Sequence, residues 1–442
     1  MLIRLLSRQL VLAARMLIWV TVVSAFTLRL AEAAPDQPGK NRLNLKTAIE
    51  KTLAQHPSLK IFDYRVKSLE GALKSAALTP EKTISLEAEN ILGSGDMRLL
   101  KSTELSLALS SVIELGGKRD KRRASVQQKF KQVELDKKAQ ALNLIAAVSR
   151  RFVEAVAAQE ALKLARQNLT LAQTRVKKVN NRYQAGASPQ AEVYRAKADL
   201  ARARLALKQK QQQADQQKVL LSLFWQSNQA GSAKPYFSEL TGNLFEFGQA
   251  KNFNQLLNQL SNNPEILALI ARQQQQNADL ALIEAQSSAD VGWSLGVKYD
   301  NGPQDLGFVA GLSLPLNQAG RNQGQIKSAL ATRNQTLVAQ ATLRQQLHAR
   351  LYQTYQAREF HLLSLTDLDE QILPLLNTAL IQTRTAYQAG RYDYSEWISA
   401  RQALIDAQQA RIRHAKQILL HNIELERLTG TRVFSPNSQG AE

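Results

Sequence analysis

The sequence predicts a mainly α fold with a small β part, made from one module used twice. Three observations carry that reading. Gln, Ala and Leu are abundant, while 442 residues hold only 11 prolines and 20 glycines, a composition of helix formers rather than of turns. Short motifs recur in one order at nearly one spacing: Gln55-His56-Pro57-Ser58 with Asn262-Asn263-Pro264-Glu265, Gly117 with Gly320, and Tyr183-Gln184-Ala185-Gly186 with Tyr387-Gln388-Ala389-Gly390, at offsets of 207, 203 and 204. In each copy, segments of period-two alternation precede a much longer helical stretch.

The elements follow in chain order. Arg4, Arg8 and Arg15, the apolar run Met16–Leu28 and then Ala31-Glu32-Ala33 have the layout of a secretory signal, cleaved after Ala33 or Ala34. The run is short for a bilayer helix of about 20 residues, so residues 1–33 read as a signal peptide and the rest as exported. The first repeat is then 34–225, a linker 226–252, the second repeat 253–429 and a tail 430–442. Leu45–Gln55 and Phe253–Ser261 are short amphipathic helices, each ending before a proline of the kind that opens a helix. Ser58–Leu78 and Pro264–Ser288 are the helices that follow. Strand-like alternation over 84–89 and 105–110, and again over 291–299 and 308–314, places one β-hairpin in each repeat (84–109 and 291–314). Gly93-Ser94-Gly95-Asp96 and Asn301-Gly302-Pro303 make their loops.

From Lys118 to Gln184 there is no proline and no glycine, 67 residues or about 100 Å of helix. Val148, Ala155, Leu162, Leu169, Val176 and Tyr183 recur every seven, accompanied by Ala158, Ala165, Ala172 and Val179, a coiled-coil seam with small residues at its second position. The chain turns at Ala185-Gly186-Ala187-Ser188, Pro189 opens the return, and Val193, Leu200 and Leu207 continue the seam. Arg321–Ala389 and Asp393–Thr429 repeat this, interrupted at Pro374, with Ile398, Ile405, Ile412 and Leu419 as the return seam. Each repeat thus ends in a helical hairpin, 118–225 and 320–429.

Composition excludes several functions. There is no cysteine, so disulfide scaffolds, thiolate metal sites, Cys nucleophiles and the acyl anchor of a lipoprotein are out. The net charge of +20 is uneven: Lys118–Gln184 carries 17 basic and 5 acidic residues, its counterpart Gly320–Ala389 only 7 and 4. An exported chain with its charge gathered in one of two duplicated parts is not a nucleic-acid binder. The five histidines form no H-E-x-x-H and no i, i+3 or i, i+4 pair, and His361 with Asp367, Asp369 and Glu370 reads as a solvated helix face. No catalytic, cofactor or metal constellation is expected. A lone β-hairpin is barely stable, and four strands cannot enclose a lumen, so other chains must complete the strands. Ile84, Leu86, Leu105, Leu107, Leu109, Trp293, Leu295 and Tyr299 alternate with small or polar residues, which suits a wall between lipid and water. A soluble sheet with one wet face is the plainer alternative; export and the 100 Å helices weigh against it.

The order helix, hairpin, long helix, tip and return helix, twice over, resembles the TolC-like outer-membrane efflux proteins across the whole mature chain. Leu115-Gly116-Gly117-Lys118-Arg119 resembles the heavy-metal, cobalt–zinc–cadmium (CzcC-type) branch. The resemblance implies a homotrimer in the outer membrane with a periplasmic extension: a 12-stranded β-barrel continued by a coiled-coil tunnel. It also implies outer-membrane lipid, a periplasmic adaptor and an inner-membrane pump of the resistance-nodulation-division type as partners, no cofactor, and passive export of metal cations or small molecules. By the same resemblance the tips Gly186, Ala187, Ser188, Pro189, Gly390, Arg391 and Tyr392 dock the adaptor, and Arg391, Asp393 and Glu396 stand at the periplasmic gate, with Ser399 where relatives carry a second acid. Each has a plainer reading: helical hairpins need glycine at their turns, and acids favour helix starts. The run Lys118, Arg119, Lys121, Arg122 and Arg123 begins where a strand would leave the membrane, opposite anionic headgroups; a solvated helix start is the alternative. The rival to a channel is a periplasmic coiled-coil adaptor or structural protein without a pore, although two helical hairpins with two strand pairs fit it poorly.

Overall fold

A computed structural model describes residues 42–91, 94–95, 102–225, 237–248, 251–316 and 320–431. The expected signal peptide, parts of the linker and of the first hairpin loop, and residues 432–442 of the tail lie outside them. Contacts set apart a small unit, residues 42–43 with 237–239, holding the ion pair Arg42–Glu239 at 3.2 Å. Strand β1 (Arg42–Asn44) pairs with β4 (Glu239–Thr241). In the main unit, α1 (Leu45–Gln55) is capped by Asn44, and α2 (Pro57–Ala76) starts on its proline. Then come β2 (Thr83–Glu89), β3 (Glu104–Ile113), α3 (Lys118–Gln184) and α4 (Gln190–Ser222). The second repeat supplies α5 (Phe253–Gln259), α6 (Pro264–Ala285), β5 (Val291–Asp300), β6 (Asp305–Ser313), α7 (Gln323–Asp367), α8 (Leu373–Gln388) and α9 (Tyr394–Thr429).

The two β-hairpins join through β3 and β5 into one antiparallel sheet of order β2-β3-β5-β6. Its register sorts the side chains by chemistry. Ile84 and Leu86 lie opposite Leu109 and Leu107; Leu105, Leu107 and Leu109 lie opposite Tyr299, Val297 and Leu295; and Trp293, Val297 and Tyr299 lie opposite Leu312, Phe308 and Leu306. One face is therefore almost wholly apolar and open to the surroundings, Phe308 being 89% and Leu312 83% exposed. The other face carries Ser85, Glu87, Ser106, Ala108, Ser294, Gly296, Lys298 and Gly311, with Lys298 paired to Glu104 and, at 3.5 Å, to Glu89. Gly296 is required there, because a Cβ would lie 2.6 Å from the Leu107 carbonyl oxygen across the ladder.

Helix α3 runs unbroken over all 67 residues. Its start depends on two consecutive left-handed glycines, Gly116 (φ 75°) and Gly117 (φ 67°), which turn the chain from strand to helix. At Gly116 any Cβ would collide with Ser288 at 2.6 Å. The expected heptad positions Val148, Ala155, Ala158, Leu162, Ala172 and Val179 are buried, with Ala158 and Leu162 closing on Ala214 of α4. Tyr183, the last position of that series, departs from it and is 40% exposed.

Two expectations are corrected in the second hairpin. The break comes at a π-helical turn, Leu368–Ile372, ahead of Pro374 rather than at it. Proline cannot donate to a carbonyl four residues back, and its ring crowds that carbonyl, so the wide turn absorbs the misfit one step upstream. Asp369 in that turn is held by both arms of Arg411, at 2.6 and 3.1 Å. The buried stripe of α9 is Trp397, Leu404, Ile418 and Leu425, one residue ahead of Ile398, Ile405, Ile412 and Leu419, which are half-buried. Both columns are apolar, and periodicity alone does not say which one meets the neighbouring helices.

Leu425 and Leu428 pack with Leu256, Leu260, Ile266, Leu347 and Leu351, where α5, α6, α7 and α9 converge. Beside them Glu424 is gripped by Arg350 (2.8 Å), Arg427 (2.9 Å) and Arg150 of α3 (3.1 Å). Burial raises the Glu424 carboxyl, but the three guanidinium groups outweigh it and hold it below the usual carboxylate range. Leu425→Ala is expected to lower unfolding free energy by about 2–5 kcal/mol. Leu419→Ala should cost about half that or less, because less of its surface leaves water. Denaturant melts of the two variants check the one-residue shift of the stripe.

Candidate functional site

The two helical hairpins end in the same turn. At the first, Ala187 N–H donates to the Arg182 carbonyl (2.8 Å) and Gly186 N–H to that of Tyr183 (2.9 Å); at the second, Arg391 N–H donates to Ala386 (2.9 Å) and Gly390 N–H to Tyr387 (3.1 Å). These are Schellman motifs, and Gly186 (φ 73°) and Gly390 (φ 76°) occupy their left-handed position. The match is in register to the residue: α3 ends at Gln184 and α8 at Gln388, while α4 begins at Gln190 and α9 at Tyr394.

What binds one hairpin to the other near the tips is an aromatic clasp. Tyr387, Tyr394 and Trp397 pack with Val179, Val193 and Ala196 of the first hairpin, all of them buried. The Tyr387 hydroxyl donates to Glu192 at 2.7 Å and the Tyr394 hydroxyl to Asp199 at 3.1 Å. Arg182 lies 4.5 Å over the Tyr387 ring, donates to the carbonyls of Tyr387 (2.5 Å) and Gln388 (2.8 Å) at the end of α8, and ties back to Ala187 (3.0 Å). A cation there answers the unsatisfied carbonyls of a helix C-terminus. Burial, reinforced by Glu192, raises the Tyr387 phenol; burial pushes Tyr394 up to about 12, with Asp199 acting in the same direction and Arg175 against it. Both phenols therefore remain donors throughout the physiological range.

The sequence-predicted residues are placed as follows. Gly186, Ala187, Pro189, Gly390, Arg391 and Tyr392 are exposed at the turns, and Ser188 is half-buried. Asp393 is the N-cap residue of α9, without a side-chain capping bond, and Glu396 is exposed in its first turn. The basic run divides. Lys118 is buried, its ammonium donating to the Ser288 carbonyl (2.8 Å) and Asp290 (2.7 Å), and Arg122 pairs with Glu114. Arg119, Lys121 and Arg123 remain exposed, Arg123 lying 3.9 Å from Asp120.

One cluster escaped the sequence. His361 of α7 meets His414 of α9 with their Nδ1 atoms 3.0 Å apart, and His421 stacks on His361 with ring centres 5.5 Å apart. The i, i+7 spacing of His414 and His421 was the available signal; the third member comes from another helix. Among the described residues no group of three or more His, Asp or Glu side chains could hold a metal ion. Burial lowers all three histidines; His414 and His421 also depress His361, Arg413 depresses His414, and at His421 Glu424 opposes what Arg358 adds.

Comparison with known proteins joins these features. The chain matches the outer membrane efflux protein family over residues 48–225 and 256–431, once for each repeat. The chain belongs to this family. As an efflux channel it resides in the outer membrane, with its helical hairpins forming the periplasmic tunnel, and members are trimers that work with an adaptor and an inner-membrane pump. It is 25% identical over 373 residues to the cobalt-zinc-cadmium resistance protein CzcC of Cupriavidus metallidurans, covering 84% of this chain and 85% of that protein. Its fold is that of a membrane protein from Pseudomonas aeruginosa (TM-score 0.71, 18% identity, 91% and 93% of the two chains) and of CusC (0.70, 17%, 91% and 96%). Each chain thus contributes four strands to a 12-stranded barrel, and the pore-free adaptor is set aside.

Tyr387→Phe removes the donor that satisfies Glu192. Amide exchange over residues 183–193 and 387–397 should quicken about tenfold, equivalent to about 1.4 kcal/mol, measured by mass spectrometry. The histidine cluster has a pH consequence. Its folded pKa values lie below the unfolded reference, so its stabilisation is complete above about pH 6.5 and is lost as pH falls through the folded values. Melting temperature should fall between pH 7.5 and 5.5, and less so in His361→Asn.

Proposed function

We propose that this channel is the outlet of a heavy-metal efflux system, carrying divalent cations from a pump of the resistance-nodulation-division type to the outside. The observation that supports the substrate is the 25% identity to CzcC across 84% of the chain. The tips Gly186–Pro189 and Gly390–Tyr392 receive the adaptor: all but the half-buried Ser188 are exposed, and two equal Schellman turns present two equivalent surfaces to a partner with repeated hairpins. Arg391, Asp393 and Glu396 form the periplasmic gate, where three copies of each carboxylate around the trimer axis concentrate cations. Arg119, Lys121 and Arg123 face the anionic headgroups of the periplasmic leaflet, while Lys118 and Arg122 hold the strand-to-helix turn together.

Deleting the gene should sensitise cells to cobalt, zinc or cadmium and leave drug tolerance unchanged; the reverse pattern would overturn the metal assignment. In planar bilayers the purified trimer should conduct, and Glu396→Gln should weaken block by divalent cations several-fold. Unchanged block would remove Glu396 from the gate.

A further inference from the structure

Within one chain, the two helical hairpins are joined by a contact whose partners are repeat-related to two residues left without one. Tyr387, at the end of α8, donates to Glu192 in the first turn of α4 at 2.7 Å. Shifted by the repeat offset of 204, that pair becomes Tyr183, at the end of α3, and Glu396, in the first turn of α9. The helix ends coincide under the same shift, so the two pairs occupy equivalent positions on equivalent turns. Yet Tyr387 is 2% exposed and Tyr183 is 40% exposed. Neither the Tyr183 hydroxyl nor the Glu396 carboxylate has a hydrogen-bond partner among the described residues.

We infer that Tyr183 donates its hydroxyl to Glu396 of the partner subunit, so that the seam between subunits repeats the seam within each. A ring of alternating first and second hairpins contains two kinds of boundary, second against first within a chain and first against second between chains. One residue pair, kept in both repeats, serves both. The second boundary is otherwise less strongly tied. The residues that would mirror Arg182, Asp199 and Arg175 are Ala386, Ala403 and Ala379, so the guanidinium clamp and the second tyrosine–carboxylate bond have no counterpart there. Tyr183 and Glu396 are the polar link that remains, and a second copy covering Tyr183 accounts for the exposed end of a heptad series whose other members are buried or half-buried.

This rests on the trimeric reading, and the absence of native cysteine makes the test clean. Tyr183→Cys/Glu396→Cys, treated in membranes with a short bis-maleimide, should give covalent dimers and trimers on denaturing gels. Tyr387→Cys/Glu192→Cys should be bridged within one chain, leaving its mass at that of a monomer plus one linker and calibrating the reach. Tyr183→Cys alone should remain monomeric, and the double variant should give more dimer and trimer than Glu396→Cys alone. If the second pair is bridged while the first stays monomeric on the gel, and native mass measurement still gives a trimer, the proposed seam is overturned. A native mass of one chain would overturn the trimer on which it depends. Tyr183→Phe should raise closed-state conductance in the native background and leave it unchanged in the Glu396→Leu background, because the bond is already gone there; multiplying effects would overturn the pairing.

Discussion

A sheet that is apolar on one face, polar on the other and unpaired at both edges cannot be a finished object in water. The strands β2-β3-β5-β6 present Leu, Ile, Phe and Trp outward in an uninterrupted belt, while Ser, Gly, Ala and paired charges line the opposite face. Lipid satisfies the first face and water the second, and only copies of the same sheet can satisfy the two edges. The duplication, the exported destination and the absence of any described helix apolar enough to cross a membrane are consistent with that requirement. The membrane is met by strands, so the helices are left free to be long, polar and periplasmic.

The helices inherit a geometric problem from the sheet. Each strand pair leads into a helix, and the strand-to-helix turn must be sharp and fixed. Gly116 and Gly117 supply the backbone conformation, and Lys118 locks it by reaching the Ser288 carbonyl and Asp290. A motif that resembles a family signature thus has a mechanical role in this chain. Lys118 and the nearby Arg122 are spent on internal bonds, which reduces the surface charge at that point below what the sequence suggests.

At the far end, the repeats are alike in backbone and unlike in side chains. Both turns are the same Schellman motif, but the aromatic residues of the clasp come from the second hairpin and their carboxylate partners from the first. Divergence at Arg182, Asp199 and Tyr394, whose repeat counterparts are Ala386, Ala403 and Gln190, changes the side chains without altering the turns.

Much of this was legible in the sequence. The period-two and heptad patterns, the missing breakers in Lys118–Gln184 and the repeated Tyr-Gln-Ala-Gly determined the element order, the duplication and the hairpin tips, because local backbone preferences act over a few residues. The sequence could not choose between adjacent apolar columns on α9, since Trp397 and Ile398 satisfy the same period and only neighbouring helices decide which is buried. Nor could it place the π turn ahead of Pro374, join β3 to β5, bring His361 to His414, or bury Tyr387 while leaving Tyr183 exposed. Each of these is a long-range contact, set by how elements far apart in the chain share space rather than by any residue's own preference.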